Sequence, residues 1–229
     1  MKWSGGLRMK ILALEFSSPQ RRVAVLNADT HGKVLAASEV VDASPGRTSK
    51  PLAMTEQALQ QTGLQREQIE CIAVGLGPGS YTGIRAAISL GQGWQLARGL
   101  KLIGISSVGC IVAQAQADGL VGEYSVVIDA QREEFYLAEW NVCAETTREL
   151  GPLRLASRPE IQERERSGGI LIGPEVTRWF PSVRIVFPSA TVLAQLALRR
   201  TDFVSGEKLT PIYLRETNFI KAPPPRQIS

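Results

Sequence analysis

The chain has 229 residues, 44% of them hydrophobic and 21% charged, a composition typical of one globular domain or of two lobes that share a core. No apolar run of about 18 residues occurs, which argues against a membrane span. The three cysteines lie far apart without a C-x-x-C pair, which argues against a disulfide framework or thiolate zinc site and fits a reducing cytoplasm. The net charge of +4 favours a solvated basic surface over a dedicated nucleic-acid site.

Three strands and one helix are predicted before residue 71. The strands cover residues 10–16, 23–26 and 34–41, and the short polar turns between them indicate an antiparallel meander. The helix runs from Pro51 to about Gln61, with proline at a position that favours helix initiation. Its apolar side chains include Leu52, Met54, Ala58 and Leu59.

The most informative stretch lies between Cys71 and Ala97. Its first four residues are an apolar run typical of a short strand. Four glycines and a proline in the next nine residues predict a turn that uses positive backbone φ angles. Ser80 or Thr82 then caps a helix that runs to about Ala97. The residues expected to shape the turn are Gly75, Gly77, Pro78, Gly79, Ser80 and Thr82.

The helix after this turn is apolar around most of its circumference. Its polar residues share one narrow stripe, and Gly83, Ala87 and Gly91 recur every four residues as a ridge without large side chains. Such a helix is buried on more than one side, and the ridge lets another backbone come close. An ordinary core helix behind a tight turn explains the same pattern. The polar stripe consists of Arg85, Ser89, Gln92 and Gln95.

Strands and then helices occur before about residue 106 and again after it, which suggests two similar lobes. Residues 160–167 are highly charged and are expected to be exposed. The later strands are predicted over residues 102–105, 124–128, 134–140, 150–155 and 170–172, and the later helices over 106–117 and 190–200. We divide the chain into an N-terminal extension (1–9), an N-lobe (10–106), a smaller C-lobe (107–220) and a proline-rich tail (221–229).

One motif and several weaker segments resemble a known family. Residues 77–85, GPGSYTGIR, closely resemble the GPGSFTGLR signature of the TsaB (YeaZ) family, the bacterial accessory proteins of tRNA threonylcarbamoyladenosine synthesis. Weaker matches follow the family's order over about residues 10 to 215. The resemblance implies an α/β protein with the actin-like ATPase, ribonuclease H-like fold, in which the second of two lobes is shortened. The weaker matches are Ile11–Ser18, Leu102–Val108, Asp129–Tyr136 and Pro211–Arg215.

The resemblance also implies partners. In the family, two N-lobe helices mediate self-association as a homodimer and pairing with the catalytic subunit TsaD, and the ATPase TsaE joins the assembly that acts on tRNA. For this chain it implies a non-catalytic scaffold, although the residues alone explain both helices equally well as the cover of a sheet. The implied interface residues are Leu52, Met54, Ala58, Leu59, Tyr81, Gly83, Arg85, Ala87, Gly91 and Trp94.

An active ATPase or small-molecule kinase on the same fold is the alternative. The amides of a glycine turn before a helix are able to bind an anion, but no Gly-Lys-Ser/Thr follows the glycines here. Where the family usually has Asp-Thr-Ser, this chain has Glu15, Phe16 and Ser17. Glu15, Ser17 and Asp129 remain as a vestigial nucleotide site. We expect no tightly bound cofactor, and ATP with Mg only weakly or at a boundary with a partner.

A metal-dependent glycoprotease is the less favoured alternative. The catalytic relatives of the family bind a metal through an H-x-x-x-H pair, whereas this chain has one histidine, His31, in a loop of turn-forming residues. One imidazole cannot supply both ligands, so we expect no metal site.

Overall fold

The computed structural model describes residues 9–43 and 50–214. These residues form two five-stranded β-sheets, with five α-helices that cover their faces. Within that part of the chain, no helix is long and apolar enough to cross a bilayer. Residues 1–8 of the predicted extension and the predicted tail lie outside the described residues.

Sheet A is built from the first half of the chain, with the strand order β3-β2-β1-β4-β5. Its strands are β1 (Met9–Glu15), β2 (Arg21–Ala28), β3 (Val34–Asp42), β4 (Cys71–Gly75) and β5 (Lys101–Ile105). The first three strands pair antiparallel, so the predicted meander is confirmed. On its other side, β1 pairs parallel with β4, which pairs parallel with β5. Strand β1 begins at Met9, one residue before the strand predicted over residues 10–16.

Sheet B repeats this plan with the second half of the chain, in the order β10-β9-β6-β7-β8. Its strands are β6 (Gly122–Asp129), β7 (Glu134–Val142), β8 (Thr147–Ser157), β9 (Ile170–Gly173) and β10 (Arg184–Ile185). Strand β6 pairs antiparallel with β7 and parallel with β9, as β1 pairs antiparallel with β2 and parallel with β4. The outer pairs of sheet B are β7 with β8, antiparallel, and β9 with β10, parallel. The two similar lobes and the α/β fold class are therefore confirmed.

The helices are α1 (Pro51–Thr62), α2 (Tyr81–Arg98), α3 (Ser107–Ala117), α4 (Arg158–Arg166) and α5 (Ala190–Leu198). Helices α1 and α2 share a core with one face of sheet A, and α5 shares a core with the other. Helix α3 packs on sheet B, while two of its residues, Cys110 and Ala113, also reach the core beneath α5. Helix α4 packs on the far face of sheet B. The two sheets thus lie within one continuous set of layers.

Strand β1 is buried on both faces because alternate side chains enter two different cores. Its apolar residues leave no exposed side, which explains why the sequence is almost continuously hydrophobic there. Leu12, Leu14 and the adjoining Phe16 face α1 and α2, whereas Met9, Ile11 and Ala13 face α5.

Helix α5 comes from the second half of the chain and yet packs on sheet A. Its N-terminus is capped by Glu39 of β3, which accepts hydrogen bonds from Ser189 Oγ at 3.0 Å and from the amides of Ala190 and Thr191 at 2.6 and 3.2 Å. Arg22 pairs with the same carboxylate at 3.1 Å. A carboxylate satisfies the free amides of a first helical turn and interacts favourably with the helix dipole. The sheets divide near residue 106, but the helical cover of sheet A draws on both halves of the chain.

The charged segment expected over residues 160–167 belongs to helix α4. Ser157 caps this helix by accepting a hydrogen bond from the Glu160 amide at 3.4 Å, and Pro159 occupies its first turn. Ile161 is fully buried beneath it. One apolar anchor in nine residues is too few for a recognisable helical period, so the sequence pattern indicates exposure without indicating the helix.

Candidate partner-binding surface and interlobe cleft

Close backbone contacts fix the turn between β4 and α2 against the end of β1. A Cβ atom at Gly83 would lie 2.0 Å from the carbonyl oxygen of Phe16, and one at Gly79 would lie 2.1 Å from that of Ser17. The Ser80 amide donates a hydrogen bond to the Ser17 carbonyl at 2.7 Å. Ser80 Oγ also accepts a hydrogen bond from the Gly83 amide, so Ser80 is the N-cap of α2. The glycines therefore let α2 approach its own lobe.

The other residues predicted to shape the turn differ in backbone conformation, burial and contacts. Gly77 has a φ of 84°, in the region that favours glycine, and Pro78 is buried. A Cβ at Gly75 would lie 2.0 Å from Glu15 Oε2. Thr82, the second predicted cap, is exposed.

Glu15 is fully buried beneath this turn. Its Oε1 accepts a hydrogen bond from the Ser17 amide at 2.8 Å, and its Oε2 accepts one from Ser107 Oγ at 2.9 Å. Ser107 Oγ in turn accepts a hydrogen bond from the Gly77 amide at 3.1 Å. Burial raises the pKa of Glu15 above the ordinary value of 4.5, an effect that the hydrogen bonds from Ser17 and Ser107 and the charge of Arg22 oppose. The carboxylate joins the end of β1, the glycine turn and the start of α3.

A cleft of about 1030 Å³ lies between the two lobes, and it brings together two of the three residues predicted for a nucleotide site. Ser17 and Asp129 both line the cleft, whereas Glu15 does not. Asp129 accepts hydrogen bonds from the Gln131 amide at 2.8 Å and from Arg178 at 3.0 Å. The cleft is otherwise lined mainly by residues 79–82, 129–132, 174–175 and 177–178.

The predicted interface residues fall into two groups. Leu52 is 60% exposed, Tyr81 is 53% exposed, Arg85 is exposed and Trp94 is half-buried. The remaining six lie in the core of their own lobe, where they hold the helices in place beneath the surface. These six are Met54, Ala58, Leu59, Gly83, Ala87 and Gly91.

The small-residue ridge of α2 faces sheet A. A Cβ at Gly91 would lie 3.0 Å from Leu102 Cδ1 and 3.1 Å from Val74 Cγ2. The groups that approach this ridge, these two side chains and the Phe16 carbonyl at Gly83, are therefore in the same lobe. We use the name α1–α2 face for the sides of the two helices that point away from sheet A; its exposed residues include Leu52, Tyr81, Arg85, Ser89, Gly93 and Leu96.

Leu96, which sequence reasoning missed, is 90% exposed on the α1–α2 face. The signal that could have found it is its spacing. Leu96 follows Arg85 by about three helical turns, so it continues the stripe that Arg85 and Ser89 begin.

Two residues of the predicted polar stripe bind the C-terminal part of the chain. Gln92 Nε2 donates to the Gly206 carbonyl at 2.8 Å, and Gln95 Nε2 donates to the Val204 carbonyl at 3.0 Å. The Gly206 amide donates to Gln95 Oε1 at 2.6 Å. We call residues 203–214 the return segment, because they lead the chain back along α2. Helix α2 is thus covered by sheet A on one side and by the return segment on another.

The return segment ends against the first turn of α2. The Tyr213 ring stacks on the Tyr81 ring, with centroids 5.3 Å apart and planes 21° apart. The Arg85 guanidinium carbon lies 4.5 Å from the Tyr81 centroid. Burial raises the pKa of Tyr213, and the nearby charge of Arg85 opposes this. The GPGSYTGIR motif at residues 77–85 and the match at the end of the family-like region therefore meet; Arg215 of the second lies outside the described residues.

The isolated histidine does not belong to either surface. His31 is exposed, and its amide donates to Asp29 Oδ1 at 2.8 Å. Over residues 9–43 and 50–214, no group of three or more His, Cys, Asp or Glu side chains is placed to hold a metal ion.

Sequence comparison finds a family model and several curated proteins that match this chain. The family model described as TsaD: tRNA N6-adenosine threonylcarbamoyltransferase matches residues 43–172, more than half of the chain. The tRNA threonylcarbamoyladenosine biosynthesis protein TsaB of Escherichia coli (strain K12) is 32% identical over 132 residues, which cover 58% of this chain and 55% of that protein. The protein of the same name from Haemophilus influenzae is 31% identical over 137 residues, 57% of this chain and 53% of that protein. This chain belongs to the TsaB/YeaZ family.

This chain spans about half the length of the curated relatives it matches. The structural similarity covers more of the chain than these sequence matches do. The crystal structure of a Pseudomonas aeruginosa protein described as similar to peptidase YEAZ has a TM-score of 0.71 and 24% identity, covering 90% of this chain and 100% of that one. YeaZ from Pseudomonas aeruginosa gives the same TM-score and coverage at 23% identity. These structures confirm the expected two-lobed fold.

Adding one methyl group to Gly83 should destabilise this TsaB/YeaZ protein. We expect Gly83→Ala to lower the free energy of unfolding by about 3 kcal/mol or more, because the new carbon meets a backbone carbonyl that cannot move alone. Gly93→Ala on the same helix is the matched control, since nothing lies within 4 Å of its Cβ position. Because alanine has the better helix propensity, the control should gain up to about 1 kcal/mol. Urea denaturation measures both changes, and equal effects would contradict the assigned contact.

The buried Glu15 should make stability depend on pH. Its native pKa is raised, so between the ordinary value of 4.5 and the native value the folded state binds more protons than the unfolded state. Raising the pH through this window therefore lowers the free energy of unfolding. Glu15→Gln removes this titration, and its stability relative to the unaltered chain should rise from about pH 4.5 upward and then level off.

Urea denaturation at a series of pH values measures this difference. Glu149→Gln, an exposed strand position, is the control and should show no comparable trend. A stability difference for Glu15→Gln that stays constant with pH would contradict the burial argument.

Proposed function

We propose that this chain is a non-catalytic subunit that supports a TsaD-type catalytic subunit in the transfer of a threonylcarbamoyl group to the tRNA adenosine next to the anticodon. The observation that carries the proposal is the apolar exposure of the α1–α2 face. Leu96 is 90% exposed and Leu52 is 60% exposed on two helices that cover the same face of sheet A. Exposed leucines on two helices of the same lobe supply apolar area that a protein partner can cover.

The structure beneath the α1–α2 face favours binding without rearrangement. Met54, Leu59 and Ala87 anchor the two helices in the core of sheet A. The glycine turn holds the start of α2, and the return segment holds its other end through Gln95. A surface held in this way loses little conformational entropy when a partner binds, which strengthens association.

The two carboxylates predicted for a nucleotide site are engaged within the chain. Glu15 is buried and accepts hydrogen bonds from Ser17 and Ser107, so it does not reach the cleft. Asp129 reaches the cleft but pairs with Arg178 at 3.0 Å. These contacts support a structural role for the chain, with chemistry supplied by the partner. In the same proposal, a TsaE-type ATPase joins the assembly, and tRNA is bound by the complex.

A second candidate function is nucleotide binding in the interlobe cleft. The observation in its favour is that Ser17 and Asp129 line this cleft together, across from the N-terminal end of α2. In this candidate function, ATP with magnesium occupies the cleft, either in the isolated chain or at a boundary with the partner.

Acidic substitutions on the α1–α2 face should abolish partner binding. We expect Leu52→Glu and Leu96→Glu each to weaken binding to the TsaD-type subunit of the same organism by at least about tenfold, because each buries a charge in an apolar contact. Val121→Glu is the matched control, since Val121 is 61% exposed away from this face. Calorimetric titration measures the affinities, and unchanged thermal unfolding verifies the fold. Normal binding by both leucine variants would refute the assigned surface.

Calorimetry with ATP and magnesium separates the two candidate functions. For a scaffold, we expect no saturable binding to the isolated chain at up to about millimolar ATP. Micromolar binding that Asp129→Asn weakens would favour the second candidate instead. The same titration with the partner present tests for a site at their boundary.

A further inference from the structure

Aromatic rings from both halves of the chain line the interlobe cleft. Tyr81 and Tyr213 stack on each other there, and 53% and 37% of their surfaces are exposed. Tyr136 and Phe187 line the same cleft, as does Ile185, which is 52% exposed. Exposed aromatic and aliphatic side chains that share one concave surface bind ligands with apolar area of their own.

The charged side chains of the cleft balance one another. Its lining contains Arg132 and Arg178 as cations, and Asp129 and Glu175 as acids. Arg178 pairs with Asp129 at 3.0 Å, whereas Arg132 and Glu175 form no ion pair within residues 9–43 and 50–214. Because the cleft has no excess of positive charge, it suits a weakly charged ligand better than a polyanion. The exposed carboxylate of Glu175 is available to one cation of such a ligand.

The described part of the chain ends at this cleft. Tyr213 lines the cleft, and Leu214 is the last described residue. The sequence continues through residues 215–222 to three consecutive prolines, Pro223–Pro225, which Arg226 follows. Residues 215–222 can span up to about 26 Å when extended, so the prolines are within reach of the cleft from Leu214.

A run of prolines is well matched to an aromatic groove. Consecutive prolines favour the polyproline II helix, so little further conformational entropy is lost when such a segment binds. Proline has no backbone N–H, so burying three of them leaves no amide donor unsatisfied. Their carbonyl oxygens can accept hydrogen bonds from donors such as Arg132. Aromatic-lined grooves recognise proline-rich segments by this combination of contacts.

We infer that the interlobe cleft is a binding site for the chain's own proline-rich tail, with Pro223–Pro225 against the aromatic rings and Arg226 paired with Glu175. The cleft volume of about 1030 Å³ gives room for several residues of a peptide. The bound tail would exclude a nucleotide from the same cleft. This inference goes beyond the proposed function and does not depend on it.

The test is calorimetric titration with a synthetic peptide of residues 219–229. We expect the peptide to bind a shortened variant that ends at Lys221 with a Kd below about 100 μM. The full chain should bind it at least about tenfold more weakly, because the attached tail competes at an effective concentration of about 1 mM.

A second variant keeps the full length of the chain. Pro223→Ala, Pro224→Ala and Pro225→Ala introduced together should release the cleft, so that this variant binds the peptide as tightly as the shortened one does. Thermal unfolding of both variants verifies the fold.

A double-mutant cycle tests the ion pair. Glu175→Gln in the shortened variant and Arg226→Gln in the peptide should each weaken binding about two- to fivefold, and the two together should weaken it no further. Glu145→Gln is the matched control, since Glu145 is exposed and does not line the cleft, and it should leave the affinity unchanged. Losses that multiply would contradict the assigned pair.

Three results would overturn the inference. The first is a shortened variant that does not bind the peptide, and the second is equal affinity of the peptide for the shortened variant and the full chain. The third is sedimentation that shows a dimer of the full chain but not of the shortened variant, which would place the tail in the cleft of a second copy. The proposed function is tested separately, by binding to the TsaD-type subunit, and stands or fails independently of these results.

Discussion

The contact between the backbone of the glycine turn and the carbonyl end of β1 determines how the rest of the structure is arranged. Because Gly79 and Gly83 lie where any side chain would collide with Ser17 and Phe16, α2 starts directly against the sheet. That contact sets which side of α2 faces the core and which faces outward. The same turn lines the interlobe cleft, so one local geometry positions both candidate surfaces. Glu15 stabilises it from beneath through Ser107.

Much of this fold can be predicted from the sequence because its signals are local. The apolar run of β1, the proline that begins α1 and the glycines before α2 are each signals contained within a few residues. Helix α4 has only Ile161 as an apolar anchor, and β10 has two residues, so neither produces a period. Whether such elements form depends on their packing against distant parts of the chain.

The candidate site was harder to predict, because its residues are selected by contacts between distant parts of the chain. Glu15 and Ser17 are neighbours in sequence, yet the Glu15 carboxylate turns to Ser107, 92 residues away, while Ser17 lines the cleft. The ridge of α2 indicates that another part of the chain comes close without indicating which one. It is the Phe16 carbonyl just after β1 and side chains of β4 and β5. Gln92 and Gln95 are polar but covered, because the return segment packs on their side of α2. Leu96 is apolar but exposed. Hydrophobicity alone therefore does not identify which side of α2 is covered.

The stack of Tyr81 and Tyr213 connects the two surfaces physically. Both rings line the interlobe cleft, and the same pair supports Arg85 on the α1–α2 face. A shift of Tyr213 would therefore move the ring that stacks on Tyr81 and so alter the support of Arg85. The return segment keeps Tyr213 in this place. Gln92 and Gln95 bind its backbone, the Ile212 amide donates a hydrogen bond to the Leu76 carbonyl at 2.9 Å, and Leu209 is buried in the core that α1 and α2 share with sheet A. One segment from the second half of the chain thus contributes to both surfaces.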